Sequence, residues 1–201
     1  MYRKLLLACG IVASLIYIGT DILAGTLYTG YSFTSQAISE LFAIGAPTSS
    51  FVVPFFTLSS LLLLAFALGV WKSSRQSRSL RLTALMFVGN AVNGLVLWNV
   101  YPMHMRGAEA TYTDTMHVLL SGVGVVFVLF AVCIVARVYH NELRLYSIAA
   151  ILILLIPGAA VFLYVPQLVL GQPTPWVGLT ERISTYGYYV WQTVFIIYLM
   201  R

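Results

Sequence analysis

Six apolar runs, each about as long as a bilayer is thick, decide what this chain can fold into. They cover roughly Lys4–Tyr28, Phe51–Trp71, Leu82–Tyr101, Asp114–Tyr139, Leu145–Val165 and Ile183–Met200. A helix rises about 1.5 Å per residue, so about 20 apolar residues cross the roughly 30 Å of hydrocarbon. Of the 201 residues, 60% are hydrophobic and 8% charged, whereas a soluble domain carries about a quarter charged residues. That excludes an ordinary soluble fold. The expectation is an all-α polytopic membrane protein, with six transmembrane helices in a single bundle domain over residues 1–201. The start, MYRKLLLACG, has the charged opening of a signal peptide. Its apolar run continues without a small-x-small cleavage site, so an uncleaved first helix is expected.

A net charge of +5 would suit nucleic acid, but the cations flank hydrophobic ends, which is the signature of topology. Arg3, Lys4, Lys72, Arg75, Arg78, Arg81, Arg137, Arg144 and Arg201 fall on one side; only Arg106 and Arg182 fall on the other. Both termini are therefore expected in the cytoplasm, with the chain in the plasma membrane. The expected partners are membrane lipids and not nucleic acid. The acids do the reverse: Asp21, Glu40, Glu109, Asp114 and Glu181 lie in the outer half and only Glu142 inside. Cys9 and Cys133 sit inside apolar runs with no CxxC neighbour, which argues against a redox centre or thiolate metal site.

Along the chain, Ser14, Tyr17 and Asp21 share one face of the first helix. An ionised Asp near the bilayer centre costs about 2.5–3.5 kcal/mol on insertion scales, so Asp21 is expected to face protein or water. Next, Ala37, Ile38, Leu41 and Phe42 form an apolar stripe opposite Gln36, Ser39 and Glu40. This predicts a short helix at the interface in the first outer loop, or folded into the bundle, capped by Thr34 or Ser35 and stopped by Gly45 and Pro47. Asn90 and Asn93, three apart, read first as interhelical glue and second as substrate contacts. Gly122 and Gly124 allow a close neighbour, HNELR reads as a tight turn, and Pro157 is expected to bend the fifth helix. The polar stripes fall on the first, third, fourth and sixth runs, which predicts a cavity lined by those four and opening outward. The second and fifth read as scaffold. Gly45-Ala46-Pro47-Thr48 and Gly171-Gln172-Pro173-Thr174 repeat a GxPT pattern that reflects a duplicated unit or simple loop punctuation.

The polar anomaly is Tyr101–His117, YPMHMRGAEATYTDTMH, which sets two histidines, an arginine and two acids between apolar runs. Asp114 and His117 are three apart at a helix start, His104 follows the third helix, and Glu40 and Glu181 arrive from flanking connections. These five are the candidate catalytic residues. Ser35, Gln36, Arg106, Arg182, Asn90, Asn93 and Asp21 are candidate substrate contacts. His104, Asp114 and His117 also suit zinc or another divalent ion, although the spacing matches no diagnostic metal motif. Without metal the same groups suit general acid–base work. The structural alternative is that the acids complement helix dipoles at helix starts, worth about 0.3–1 kcal/mol, and pair with the arginines. The many Tyr and Trp residues fit an interfacial belt.

The combination SQAISE, GAPT, YPMHMRG, TDTMH and PTPWVGLTER resembles a family of small bacterial and archaeal membrane proteins, domain of unknown function nine-nine-eight. The resemblance covers nearly the whole chain and implies a membrane bundle. It brings no activity with it. At the motif positions stand Ser35, Gln36, Glu40, His104, Arg106, Gly107, Asp114, His117, Glu181 and Arg182. Three functions then compete. The first is an enzyme acting on a lipid or isoprenoid headgroup, by metal-assisted hydrolysis or acid–base chemistry. The second is a small transporter or lipid-binding protein, and the third a structural or accessory subunit. A cavity ending blindly at mid-membrane favours the first, a through-path the second and no cavity the third.

Overall fold

A computed structural model describes residues 2–201, and it is all-α. Its helices are α1 (Tyr2–Leu27), α2 (Ser49–Ser73), α3 (Arg78–Val100), α4 (Tyr112–Val138), α5 (Asn141–Leu163), α6 (Val165–Val169) and α7 (Val177–Met200), with a 3-10 helix at Ile38–Phe42. The six long helices run up and down in chain order, and each packs on its neighbours in sequence. α7 then returns against α1 and closes a ring. The Arg3 guanidinium donates to the Leu199 carbonyl (3.0 Å), so both termini meet at one end of the bundle. The connections that carry the polar residues gather at the other end.

Five helices, α1 to α5, are long and apolar enough to cross a membrane. Their outward faces carry Leu5, Leu15, Phe130, Leu152 and Ile156, all exposed, a surface that water does not tolerate over such an area. α7 has the length but not the apolar composition, because it holds Glu181, Arg182, Ser184, Tyr188 and Gln192. Near the terminal end the ring is sealed by fully buried Leu7, Phe66, Phe87, Trp191, Phe195 and Ile196. Trp191 stacks on Phe195 at 5.5 Å between centroids.

Several expectations need correction. The short first-connection helix takes the second of its two expected placements, folded into the bundle, with Ile38, Glu40, Leu41 and Phe42 buried. Neither Thr34 nor Ser35 caps it; the Glu40 carboxylate reaches back to the Ala37 amide (2.8 Å), closing its own first turn as in a capping box. HNELR is not a turn but the first turn of α5, entered through His140. Part of the stretch after Val165, read as loop, is helical, and α7 begins at Val177, six residues before the expected Ile183. Glu181 and Arg182 therefore stand on a helix and not before it. The two GxPT stretches do share a geometry. Gly45 (φ +91°) and Gly171 (φ +65°) both take the left-handed conformation, where a Cβ is strained. Thr48 and Thr174 both donate back to the first connection, at Leu41 O (2.7 Å) and Ser35 O (3.0 Å).

Candidate functional site

Three acids at the connection end are consumed by partners. Asp21 is fully buried on α1 and takes a bidentate grip from Arg182 on α7, Nε to Oδ2 (2.9 Å) and Nη2 to Oδ1 (2.7 Å). Tyr186 donates to the same carboxylate. The expectation that Asp21 faces protein thus meets an observed partner. Arg182 also donates through Nη1 to the Phe33, Gln36 and Gly178 carbonyls, and through Nη2 to Tyr31 Oη (2.7 Å). Burial pushes the Tyr31 hydroxyl far above the usual phenol range against the pull of Arg182. It therefore stays protonated and donates to Ala37 O (2.8 Å).

Glu40, buried on the 3-10 helix, is held in the same way. Arg106 donates to it from Nη2 (2.7 Å) and Nε (3.3 Å). Its other donors go to Ser35 O, Thr174 Oγ1 and Gln172 O, so its donors are spent within the protein. Gln36 Nε2 adds a contact to Glu40 (3.2 Å). Asp114 closes a capping box with Thr111 at the start of α4. It also accepts from the His104 amide (2.7 Å) and ring Nδ1 (2.9 Å). With four donors converging on it the carboxylate is ionised, so His104 Nδ1 carries the proton and clamps the loop to the helix.

Two candidates escape this pairing. His117 is buried on α4, and its Nδ1 lies 2.8 Å from the Tyr101 carbonyl oxygen. A carbonyl only accepts, so Nδ1 bears hydrogen, and in the neutral ring Nε2 then presents a lone pair, an acceptor without a protein partner among the described residues. Glu181 accepts from the Ile38 amide through Oε2 (2.7 Å), and its Oε1 has no partner among the described residues. Neither free atom is sealed; the one buried side-chain polar atom without a partner among the described residues is Trp98 Nε1.

Both residues line two adjoining chambers. A loop chamber of about 320 Å³ is bounded by Met103–Ala108, Ala110, Asp114, Val118, Val161, Phe162 and Leu168. A deep chamber of about 210 Å³ is bounded by Tyr17, Ser60, Asn90, Asn93, Val128, Leu154 and Tyr188. His117, Ser121, Val161, Phe162 and Glu181 belong to both walls. The deep chamber stops at mid-helix above the sealed aromatic layer. Its wall takes residues from all six long helices, including Ser59, Ser60 and Leu63 of α2 and Leu154 and Gly158 of α5. The expected lining by four helices, with α2 and α5 as scaffold, is therefore incorrect.

The sequence-predicted residues separate on this geometry. Asp21 with Arg182 and Glu40 with Arg106 form two internal ion pairs, and His104 is hydrogen-bonded to Asp114. Ser35 and Gln36 lend their carbonyls to those pairs. Asn93 donates to Leu120 O on α4 (2.9 Å), as interhelical glue, while Asn90 faces the deep chamber. The metal expectation fails on assembly: among the described residues no group of three His, Cys, Asp or Glu is close enough to hold an ion. His104 and His117 share a chamber, but one is bound to Asp114 and the other to Tyr101. Sequence reasoning missed Tyr31 and Tyr186; Tyr186 is one turn beyond Arg182, a local signal, whereas nothing local marks Tyr31.

A family described as "Protein of unknown function (DUF998)" matches residues 11–198 of the chain. No curated protein and no solved structure matches it.

Proposed function

The chain belongs to that family of unknown function, and from the geometry of its chambers we propose a membrane-embedded enzyme that processes the headgroup of a lipid or isoprenoid by general acid–base chemistry. The observation that carries this reading is the blind cavity with one imidazole nitrogen and one carboxylate oxygen at its waist that have no partner among the described residues. A transport path would continue to the terminal end, where Phe66, Phe87, Trp191 and Phe195 are fully buried. His117 acts as the base through Nε2, since Tyr101 fixes its tautomer; Glu181 acts as the proton donor or its acceptor. Such a positioned pair typically contributes about 10²–10⁴-fold in rate.

The proposal includes six membrane spans in one domain, with both termini cytoplasmic. α7 supports this because its outward face, Ile183, Val190, Val194 and Ile197, is exposed and apolar while its polar residues turn inward. The nine-to-two division of cations supports the orientation. Reporter fusions after Arg78 and Arg201 are expected to read cytoplasmic and one after Ala110 external; the reverse pattern would move the chambers to the other leaflet.

The catalytic test incubates purified protein, in detergent-free discs, with total membrane lipid and follows lipid masses. Wild type is expected to deplete one lipid class, with turnover falling by about 10²–10⁴-fold in His117→Ala. Glu181→Gln is expected to fall in parallel. Identical lipid profiles for wild type and both folded variants would refute the enzyme reading.

A further inference from the structure

The two chambers differ in what they offer a ligand. The loop chamber is walled mainly by Met103, Met105, Val118, Val161, Phe162 and Leu168, and its one arginine, Arg106, is saturated by protein acceptors. The deep chamber holds no lysine or arginine at all. What it holds instead is a set of neutral hydrogen-bonding groups with nothing to bond. Tyr17, Ser60 and Thr185 line it and make no side-chain hydrogen bond among the described residues. Asn90 also lines it, within hydrogen-bonding reach of the Tyr188 hydroxyl; that hydroxyl donates to Gln192 Oε1 (2.6 Å), so it can only accept from Asn90 and leaves the second amide hydrogen to a ligand. Gly124 keeps the space open: a Cβ there would stand 3.1 Å from Asn93 Nδ2 and 3.5 Å from Asn90 Oδ1.

We propose that the deep chamber binds an uncharged, hydroxyl-bearing headgroup, a glycerol or sugar type, whose apolar chain runs out through the loop chamber. This rests on the acid–base reading for its catalysis but not for its binding. The chemistry of the donors selects among headgroups. Hydroxyls and an amide both donate and accept, and a ligand hydroxyl, which does both and carries no charge, matches them. A phosphate accepts without donating, and would sit beside Glu181 with no cation free to neutralise it. A primary ammonium donates without accepting, and a quaternary one does neither, so each would leave unmatched the Asn90 amide hydrogen that Tyr188 does not take. The chain must lie toward the loops, because the deep chamber ends on Leu63, Val128 and Leu154 with no exit beneath them.

The experiment compares three probes of one chain length on purified protein in an amphipathic polymer: monodecanoylglycerol, decyl phosphate and decyltrimethylammonium. Saturable binding is expected for monodecanoylglycerol alone. Thr185→Val, which keeps the shape of the side chain, and Asn90→Leu are each expected to weaken it by about threefold to tenfold, the loss of one net hydrogen bond. Binding of decyl phosphate or decyltrimethylammonium with equal affinity overturns the proposal, as does unchanged affinity in both variants or no saturable binding of the glycerol probe. The two readings separate cleanly. Glycerol-probe binding without any lipid conversion refutes the catalysis and leaves this inference standing; turnover of a phosphate-headed lipid, without glycerol binding, refutes this inference and leaves the catalysis.

Discussion

Replacing Arg182 by Leu is expected to destabilise the protein by about 3–5 kcal/mol, because it strands a buried carboxylate. Asp21 is 0% exposed and its partner 7%. Arg182 supplies both charge-assisted bonds to Asp21 and also ties the Phe33 and Gln36 carbonyls to α7. One side chain thus joins α1, the first connection and α7 where the ring closes. On thermal denaturation the midpoint is expected to fall by roughly 10 °C. The diagnostic is the double variant Asp21→Asn with Arg182→Leu. Removing the stranded charge is expected to recover more than half of the loss, since a buried pair is worth much less than the penalty of breaking it. A wild-type midpoint for Arg182→Leu, or a double variant worse than the single one, would show that the pair carries no such weight.

Gly178→Val is expected to cost about 3 kcal/mol, at the upper end of overpacking penalties. A Cβ on Gly178 would stand 2.6 Å from the Phe33 carbonyl oxygen, 2.9 Å from Arg182 Nη1 and closer still to the Gln36 carbonyl. Two of these obstacles are backbone, and they cannot move aside as a side-chain tip does. The Leu179 amide donates to Thr34 O (3.1 Å), so the first connection lies directly on the opening turn of α7. Valine there is expected to lift residues 33–36 off the helix, loosening Arg182 as well. The expected readout is a lowered midpoint together with new protease cleavage in the first connection. Retention of the wild-type midpoint and protease pattern would mean that the close approach contributes nothing to stability.

Much of the fold is legible from local patterns. The apolar runs locate every long helix to within a few residues, except at α7, where Trp176-Val177-Gly178-Leu179-Thr180 reads as loop and is largely helix. The place of Asp114 at a helix start is legible for the same reason, since an acid of the first turn and its cap belong to one turn. The candidate site was legible as a set of residues and not as a site. Asp21 and Arg182 are 161 positions apart, and Glu40 and Arg106 are 66 apart. Nothing in the spacing says which acid meets which arginine. Nor does it show that α2 and α5 would contribute Ser60 and Leu154 to the cavity, because their polar content is too thin to form a stripe.

The sequence by itself determined a membrane-suited helical bundle and the end at which polar residues gather, because hydrophobic length and helix caps act within one segment of chain. Tertiary structure decided which of those residues remain free. Closing α7 against α1 neutralises Asp21, and folding the α3–α4 connection onto the first neutralises Glu40. Tyr101 and Ile38 occupy one atom each of His117 and Glu181, leaving Nε2 and Oε1 facing a closed-ended cavity. Pairing of charges is a matter of distance in space, where attraction strengthens as water is excluded, and distance in space is what the order of residues along the chain does not contain.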